Sequence, residues 1–360
     1  MIGQKAAETM EKTDIKSMTR EELQEAICGM GEKKFRADQI YNWMHVKLAA
    51  GFDEMTNISK AFREECKEKF SYTALEAVRV QKSKIDGTQK FLFALEDGNV
   101  VESVLMPYKH GNSVCISSQV GCRMGCRFCA STLDGLTRNL KSSEMLDQIY
   151  SITRITGERV SNVVVMGTGE PLDNYDNLVR FIRLLTDENG LHLSQRNVTV
   201  STCGIVPGII KLAEEGLQIT LALSLHGATD EKRQELMPIA KVYSINELMD
   251  AVDAYFARTG RRITFEYSLV AGINDTYEDV EHLSKLAGKR NCHINLIPVN
   301  PIKERNFRQP DQAYVAAFKN KLEKNRINVT IRREMGRDID GACGQLRKRH
   351  LEEGKEDIRC

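Results

Sequence analysis

Three cysteines stand close together in the segment GCRMGCRFCA. Cys122, Cys126 and Cys129 have the spacing C-x3-C-x2-C. A structural zinc site takes four protein ligands and is closed, so three thiols from one short loop leave a metal ion or cluster with an open position. Three thiolates on a four-iron cluster would leave one iron free for a substrate or cofactor. A fourth protein ligand from elsewhere is the alternative, and His110 and Cys115 are the local candidates.

The composition is that of an ordinary globular chain. Its 360 residues include ten cysteines, 51 basic and 50 acidic side chains. It has no apolar run of membrane-spanning length and its first residues are too polar for a secretory signal, so we expect a cytoplasmic protein without a membrane span. In a reducing compartment, clustered cysteines indicate metal ligands or catalysts rather than structural disulfides. The net charge of +1 means that any RNA contact requires local basic clusters, and 332–337 and 347–349 are candidates.

From about residue 114, strand-like and helix-like segments alternate, which indicates a parallel sheet buried on both faces. The predicted helices are 143–156, 174–186, 206–215, 244–258, 276–288 and 310–325. Five or six such units form either a doubly wound sheet or an incomplete barrel. Both architectures place their sites at the carboxyl ends of the strands. Polar residues follow the predicted strands there: Gly169, Glu170, Ser201, Ser224, His226 and Asn300.

Two other patterns precede this region. The first residues, about 70 of them, have helical periodicity. Thr19 and Glu22 form a capping box, and Asn57 is a possible cap of a later helix. We expect a compact helical unit with its own small core. Residues 73–118 have the pattern of a meander of β-hairpins, with turns at DGT and DGN.

The cysteine loop, which follows the first strand of a strand–helix domain, resembles that of the radical S-adenosylmethionine superfamily. Phe128 has the aromatic type usual before the last cysteine, and GTGEP at 167–171 is similar to the superfamily's GGEP element. The resemblance implies one 4Fe–4S cluster on Cys122, Cys126 and Cys129, with S-adenosylmethionine bound at the open iron. The cofactor contacts implied by the resemblance are Gly169, Glu170, Ser201, Ser224, Leu225, His226 and Asn300.

Longer segments resemble one family, the dual-specificity RNA adenosine C2-methyltransferases. They are FRADQIYNW, FDEMTNISKAFRE, CISSQVGCRMGCRFCAS, GTGEPLDNYDN, VTVSTCGIVP, LALSLHGATDEKR, IPVNP and DIDGACGQL. The resemblance implies methylation of C2 of one adenosine in 23S ribosomal RNA, before the subunit is fully assembled, and of an adenosine in the anticodon loop of some transfer RNAs. One alternative is a relative that methylates C8 of the same ribosomal adenosine. That relative has GEA where this chain has GEP, so Pro171 favours the C2 enzyme. The other alternative is a non-catalytic RNA-binding protein stabilised by zinc.

The fold implied by the resemblance is α/β, a partial (βα)6-type radical S-adenosylmethionine barrel at 114–345. We expect an all-helical domain at 1–72 before it, which is a candidate for RNA binding. A β-hairpin extension at 73–113 joins the two, and a tail at 346–360 follows the barrel.

The chemistry implied by the resemblance uses two more cysteines and a base. C2 of adenine is electron-poor and does not attack a sulfonium methyl, so a radical route is needed. Cys343 accepts a methyl group from one S-adenosylmethionine. The 5′-deoxyadenosyl radical from a second one takes a hydrogen atom from that methyl, and the thiomethylene radical adds to C2. Glu102 removes the C2 proton, and Cys115 then attacks Cys343 to release the product through a transient disulfide. The family also implies a monomer and an electron donor such as flavodoxin or ferredoxin.

Overall fold

The computed structural model describes residues 12–300, 305–339, 344–347 and 349–350. The helices are α1 (Arg20–Gly29), α2 (Lys34–His45), α3 (Lys60–Lys69), α4 (Ser142–Thr156), α5 (Tyr175–Thr186), α6 (Val206–Glu214), α7 (Asp230–Leu236), α8 (Ile245–Thr259), α9 (Tyr277–Ala287) and α10 (Gln312–Lys324). The strands are β1 (Thr13–Asp14), β2 (Phe70–Ser71), β3 (Glu76–Lys82), β4 (Gln89–Ala94), β5 (Val100–Tyr108), β6 (Gly111–Ile116), β7 (Gln119–Gly121), β8 (Leu136–Asn139), β9 (Val160–Val165), β10 (Val198–Thr202), β11 (Thr220–Ser224), β12 (Ile263–Leu269), β13 (Cys292–Pro298) and β14 (Val329–Ile331). None of these helices is long and apolar enough to cross a bilayer.

A ten-stranded sheet runs through the molecule in the order β14-β13-β12-β11-β10-β9-β6-β5-β4-β3. From β6 to β14 every neighbouring pair is parallel. Each crossover between these strands contains at least one helix, as parallel pairing requires. Consecutive residues Leu221, Ala222 and Leu223 on β11 are all fully buried, so both faces of this strand are covered. The predicted parallel α/β core is confirmed. Its described strands form an open sheet, with β14 at one edge and β3 at the other, rather than a closed ring.

The predicted meander is confirmed, and it is continuous with this sheet. Strands β3, β4, β5 and β6 pair antiparallel in sequence order. The other edge of β6 pairs in parallel with β9, so β6 belongs to the meander and to the parallel sheet alike. The predicted boundary between residues 113 and 114 lies inside β6. One edge of β6, the first parallel strand, is therefore paired with the meander, which fixes its position in the sheet.

The N-terminal unit is helical, as predicted. Helix α1 begins at the capping box, in which the Thr19 N–H donates to Glu22 Oε2 at 2.8 Å and the Glu22 N–H donates to Thr19 Oγ1 at 3.3 Å. The expectation that Asn57 caps the third helix is wrong. Helix α3 is capped by Ser59, while the Asn57 side chain accepts a hydrogen bond from the Trp43 indole N–H. Ser59 directly precedes α3, whereas Asn57 lies two residues further from the helix and its side-chain oxygen is bonded to Trp43.

The expectation of a separate small core for this unit is also wrong. The apolar side chains of α1, α2 and α3 belong to the same buried cluster as those of the sheet and its helices. A unit of this size buries little apolar surface alone, so its apolar faces pack against α4 and α5. A fully buried ion pair joins the two parts, because Lys16 Nζ lies 2.7 Å from Asp147 Oδ1 on α4. Asp147 also accepts hydrogen bonds from Arg154 Nη2 and from the Leu75 N–H.

Candidate active site

The cysteine loop follows β7 and is held by backbone hydrogen bonds. The Cys129 N–H donates to the Cys126 carbonyl at 3.1 Å, and the Arg127 N–H donates to the Leu236 carbonyl at 2.9 Å. The second bond fastens the loop to the end of α7. Cys122, Cys126 and Cys129 all line one cavity of about 250 Å³ at the carboxyl ends of the parallel strands. These backbone contacts thus direct the three thiols into the same cavity.

Burial makes these thiols harder to ionise than exposed cysteines. Burial raises the pKa of all three, to about 12 for Cys122, and the neighbouring thiols of Cys129 and Cys122 raise the pKa of Cys126 further. Thiolates in such a place need bound positive charge. Among the described residues, no three Cys, His, Asp or Glu side chains converge as the ligands of one metal ion do. Three cysteine thiolates from one short loop are the type of ligand that holds a 4Fe–4S cluster, so the donor set fits such a cluster.

The predicted cofactor residues come together in the same cavity, with one exception. Those that line it are Gly169, Glu170, Ser201, Ser224, His226 and Asn300. The hydroxyls of Ser201 and Ser224, on adjacent strands, lie 3.3 Å apart. The Leu225 side chain is instead fully buried in the main core, and its N–H donates to the Glu266 carbonyl at 3.0 Å. Leu225 directly follows β11, and its side chain enters the core while those of Ser224 and His226 line the cavity.

Gly169 and Glu170 form a fixed wall of this cavity. Gly169 has φ +114°, and a Cβ there would lie 2.7 Å from the Gln119 Cβ, so only glycine fits. The Glu170 carboxylate accepts hydrogen bonds from the N–H groups of Cys203 at 2.7 Å and Leu172 at 3.0 Å. Burial raises the pKa of Glu170, and the bond from Cys203 opposes that rise. Both carboxylate oxygens therefore hold the backbone of the turns around the site.

His226 is a neutral hydrogen-bond donor. Its Nδ1 accepts a hydrogen bond from the Ser268 N–H at 2.9 Å, so the proton of the neutral ring is on Nε2. Burial lowers the pKa of His226 to about 3, which keeps the ring uncharged near neutral pH. The Phe128 ring meets it edge-on with 4.7 Å between centroids. The residue next to the last cysteine thus fixes the orientation of His226.

A second cavity, of about 640 Å³, adjoins the first and is lined by Glu102 and Cys115. The two cavities share Met166, Gly167, Ile297, Asn300 and Arg332. Val104 pairs with Cys115 across β5 and β6, and residues two apart on a strand share a face. Glu102 and Cys115 therefore project from the same face of the sheet. Burial raises the pKa of the Cys115 thiol, and the Arg332 guanidinium opposes that rise.

Glu102 connects this cavity to the C-terminal segment. Its Oε2 accepts a hydrogen bond from the Gly344 N–H at 2.7 Å, and its Oε1 accepts one from the Arg347 N–H at 2.6 Å. Lys90 Nζ lies 3.2 Å from the same carboxylate. Cys343 itself lies outside the described residues, but the next residue is bonded directly to Glu102. The chain on the C-terminal side of Cys343 is thus anchored at the cavity that holds Cys115.

Comparison with known proteins shows which family the chain belongs to. The family model of the ribosomal RNA large subunit methyltransferase N-terminal domain matches residues 13–71, and that of the radical SAM superfamily matches residues 116–287. A protein of Lachnospira eligens named probable dual-specificity RNA methyltransferase RlmN is 67% identical over 341 residues, which are 95% of this chain and 97% of that protein. The chain belongs to the RlmN family of radical S-adenosylmethionine methyltransferases.

Other similarities extend over nearly the whole chain. A Lachnoclostridium phytofermentans protein with the same RlmN name is 60% identical over 342 residues, covering 95% of this chain and 96% of its own. A crystal structure of a radical SAM methyltransferase from Sphaerobacter thermophilus superposes with a TM-score of 0.89 at 40% identity, covering 92% of this chain and 98% of that one. The fold is therefore shared with that methyltransferase over nearly the whole chain.

Sequence reasoning did not identify all the residues that build this RlmN-family site. Arg332 was expected only in a basic cluster for RNA, yet it lines both cavities. It directly follows β14, so the rule that polar residues at strand ends form the site would have found it. Ser268 and Glu266, on β12, also line the cofactor cavity. Nothing in their local sequence distinguishes them from other alternating strand residues.

Proposed function

We propose that this enzyme is a cytoplasmic methyltransferase that methylates C2 of an adenosine in large-subunit ribosomal RNA and of an adenosine in some transfer RNAs, by way of a methyl group on Cys343. One observation carries the proposal. The cavity of Glu102 and Cys115 shares a wall with the cavity of the three clustered cysteines, and Arg332 and Asn300 are part of that wall. A radical generated in one cavity and a base held in the other therefore act within one continuous space.

Cofactor binding is assigned to the first cavity. Cys122, Cys126 and Cys129 would hold a 4Fe–4S cluster, which when bound supplies the electron that cleaves S-adenosylmethionine. Residues at the strand ends would bind S-adenosylmethionine, with neutral His226 as a donor and the hydroxyl of Ser224 as donor or acceptor. We propose two molecules of S-adenosylmethionine per turnover, one as methyl donor and one as radical source.

The second cavity would perform the transfer. The Cys343 thiolate takes the methyl group from the first S-adenosylmethionine, which leaves as the thioether. After the methyl loses a hydrogen atom to the 5′-deoxyadenosyl radical, its carbon bonds to C2. Glu102 accepts the proton from C2, and one electron passes from the adduct to a one-electron acceptor, for which the oxidised iron–sulfur cluster would serve. The Cys115 thiolate then attacks the Cys343 sulfur. A disulfide forms, the bond between that sulfur and the carbon breaks, and the carbon takes up a proton to become the product methyl. A dithiol reductant restores both thiols.

Neither alternative is favoured. The two relatives at 67% and 60% identity both bear the RlmN name, which argues against the C8-methylating relative. For the zinc-stabilised RNA-binding protein, Cys115 would have to complete a site with the clustered cysteines. Cys115 instead lines the adjoining cavity and is not among the residues lining that of the cysteine loop.

RNA binding is proposed for the helical unit and for the rim of the second cavity. Arg332, Arg333 and Arg337 line that rim, and phosphate contacts supply most of the affinity for RNA. An adenine must leave its stack to reach Glu102, which favours ribosomal RNA before full assembly and the exposed anticodon loop of transfer RNA. We further propose that the enzyme acts as a monomer and takes electrons from a flavodoxin or ferredoxin.

Mass spectrometry of nucleosides from treated RNA tests the proposal. Anaerobically reconstituted enzyme should hold about four irons per chain and should form 2-methyladenosine in 23S ribosomal RNA and in transfer RNA. The Cys343→Ala variant should keep its iron and lose the product. Formation of 8-methyladenosine alone would assign the C8 chemistry, and zinc without iron would overturn the radical enzyme.

A further inference from the structure

An arginine is buried under the cysteine loop without a full set of partners. Arg233, on α7, has no exposed surface. Its Nη2 donates to the Cys203 carbonyl, whereas Nε and Nη1 are buried and have no hydrogen-bond partner among the described residues. Arg233 does not line the cofactor cavity, so it lies behind the residues that do. The proposed function assigns it no role.

The space around Arg233 is shaped for it. A Cβ at Gly204 would lie 2.9 Å from Arg233 Nη2, so glycine at this position leaves room for the guanidinium. A Cβ at Gly227 would lie 2.7 Å from the backbone nitrogen of Arg233, so glycine there leaves room for the backbone of α7. The bond from the Arg127 N–H to the Leu236 carbonyl ties the same helix to the cysteine loop. Helix α7 therefore supports that loop, and Arg233 is a buried charged residue on this helix.

A cation in such a place is costly unless an anion balances it. Burying a charge without a partner costs several kcal/mol. The groups whose charges most favour the charged form of Arg233 are the thiols of Cys203 and Cys126, followed by the carboxylate of Asp230. Asp230 is engaged elsewhere, since its Oδ1 accepts a hydrogen bond from the Ile245 N–H at 2.7 Å. Of these groups only Cys126 belongs to the cysteine loop, and its thiolate is the anion that a bound cluster would place near Arg233.

We infer that Arg233 is a positioning residue that balances the negative charge at the cysteine loop and favours the reduced state of the cluster. The inference rests on the proposed function, because it assumes a cluster on Cys122, Cys126 and Cys129. A cluster with three thiolates is anionic, and reduction adds one more negative charge. Net charge nearby is one determinant of cluster potential, so a fixed cation behind Cys126 stabilises the reduced form more than the oxidised one.

The test compares three variants of the full chain. Arg233→Met removes the charge, Arg233→Lys keeps it, and Arg261→Met removes an arginine at the opposite end of β11, where Arg261 contacts Thr220. The readout is the midpoint potential of the reconstituted cluster, followed by electron paramagnetic resonance. At a fixed potential, Arg233→Met should lower the ratio of reduced to oxidised cluster about tenfold, as expected for loss of a nearby, partly screened charge. The other two variants should match the wild type.

Unfolding of the cluster-free protein in urea provides the second readout. Without the cluster the charge of Arg233 is uncompensated, so Arg233→Met should be at least as stable as the wild type. A variant that is less stable and has an unshifted potential would assign a purely structural role and overturn the inference.

The outcomes separate the inference from the proposed function. Iron uptake with an unshifted potential in Arg233→Met would overturn only the inference, whereas a wild type that takes up no four-iron cluster would overturn both. If Arg233→Met loses its iron, a comparison of Arg233→Lys with a fourth variant, Arg233→Gln, shows whether the charge is needed to hold the cluster. A cluster retained with lysine and lost with glutamine supports the need for charge, and loss in both overturns it.

Discussion

Replacing Lys16 by methionine should weaken the attachment of the N-terminal helices to the catalytic core. Lys16 Nζ lies 2.7 Å from Asp147 Oδ1, and both side chains have 0% exposure. The same ammonium donates to the Thr73 carbonyl and lies 4.4 Å from the centroid of the Tyr72 ring. Methionine keeps the length of the side chain and removes its charge and its donors.

The size of the expected loss in stability depends on the hydrogen-bond partners that Asp147 keeps after the substitution. Removing one partner of a buried ion pair costs about 3–5 kcal/mol. Here Asp147 keeps Arg154 Nη2 at 3.0 Å, the Leu75 N–H at 2.7 Å and the Ser151 hydroxyl at 2.9 Å. Burial also lowers the pKa of Lys16 despite the opposing effect of Asp147, so desolvation offsets part of what the pair contributes. We therefore expect a loss near the lower limit, about 3 kcal/mol in the free energy of unfolding.

Because the chain has a single tryptophan, its fluorescence reports unfolding of one part of the protein. Trp43 lies on α2, so its fluorescence in a urea titration follows the N-terminal helices, while circular dichroism follows the whole chain. Lys16→Met should shift the fluorescence transition to lower urea. Lys67→Met is the matched control, because Lys67 pairs with Asp53 on the surface and such pairs contribute little. A loss below about 1 kcal/mol for Lys16→Met, or one no larger than the control's, would refute the reasoning.

Three further predictions concern the site and the core. Cys115→Ala should accumulate a covalent protein–RNA adduct, which appears as a ribonuclease-sensitive band in gel electrophoresis. The double variant Cys115→Ala/Cys343→Ala should form no adduct. Equal amounts of adduct in both variants would contradict the roles proposed for the two cysteines. Burial lowers the pKa of His45 to about 3, whereas the unfolded chain protonates near pH 6.5. Stability should therefore fall as pH drops below about 6.5, and His45→Gln should reduce that slope by about 1.4 kcal/mol per pH unit; equal slopes in urea titrations would exclude this. Gly169→Ala should lose about 2 kcal/mol more in thermal unfolding than Gly98→Ala, because both have positive φ but only Gly169 lacks space for a Cβ.

The sequence by itself determined the features that depend on neighbouring residues. The spacing of Cys122, Cys126 and Cys129 indicated a site with an open position because all three ligands lie within one loop. The capping box of Thr19 and Glu22 was readable because both partners lie within one turn of helix. Alternation of apolar strands and amphipathic helices predicted the parallel core, and the strand-end rule then brought the cofactor residues to one edge.

Only the tertiary structure decided the contacts between distant segments. Glu102 and Gly344 are 242 positions apart. Because Glu102 binds a backbone N–H, which every residue except proline has, the residue type at position 344 could not reveal this contact. The burial of Lys16 and Arg233 could not be predicted, because lysine and arginine are normally exposed and their burial depends on which helices cover them. Local spacing therefore specifies the chemistry of the cysteine loop. The positions of Glu102, Cys115 and the buried charges depend on how distant segments of the chain fold back to that loop.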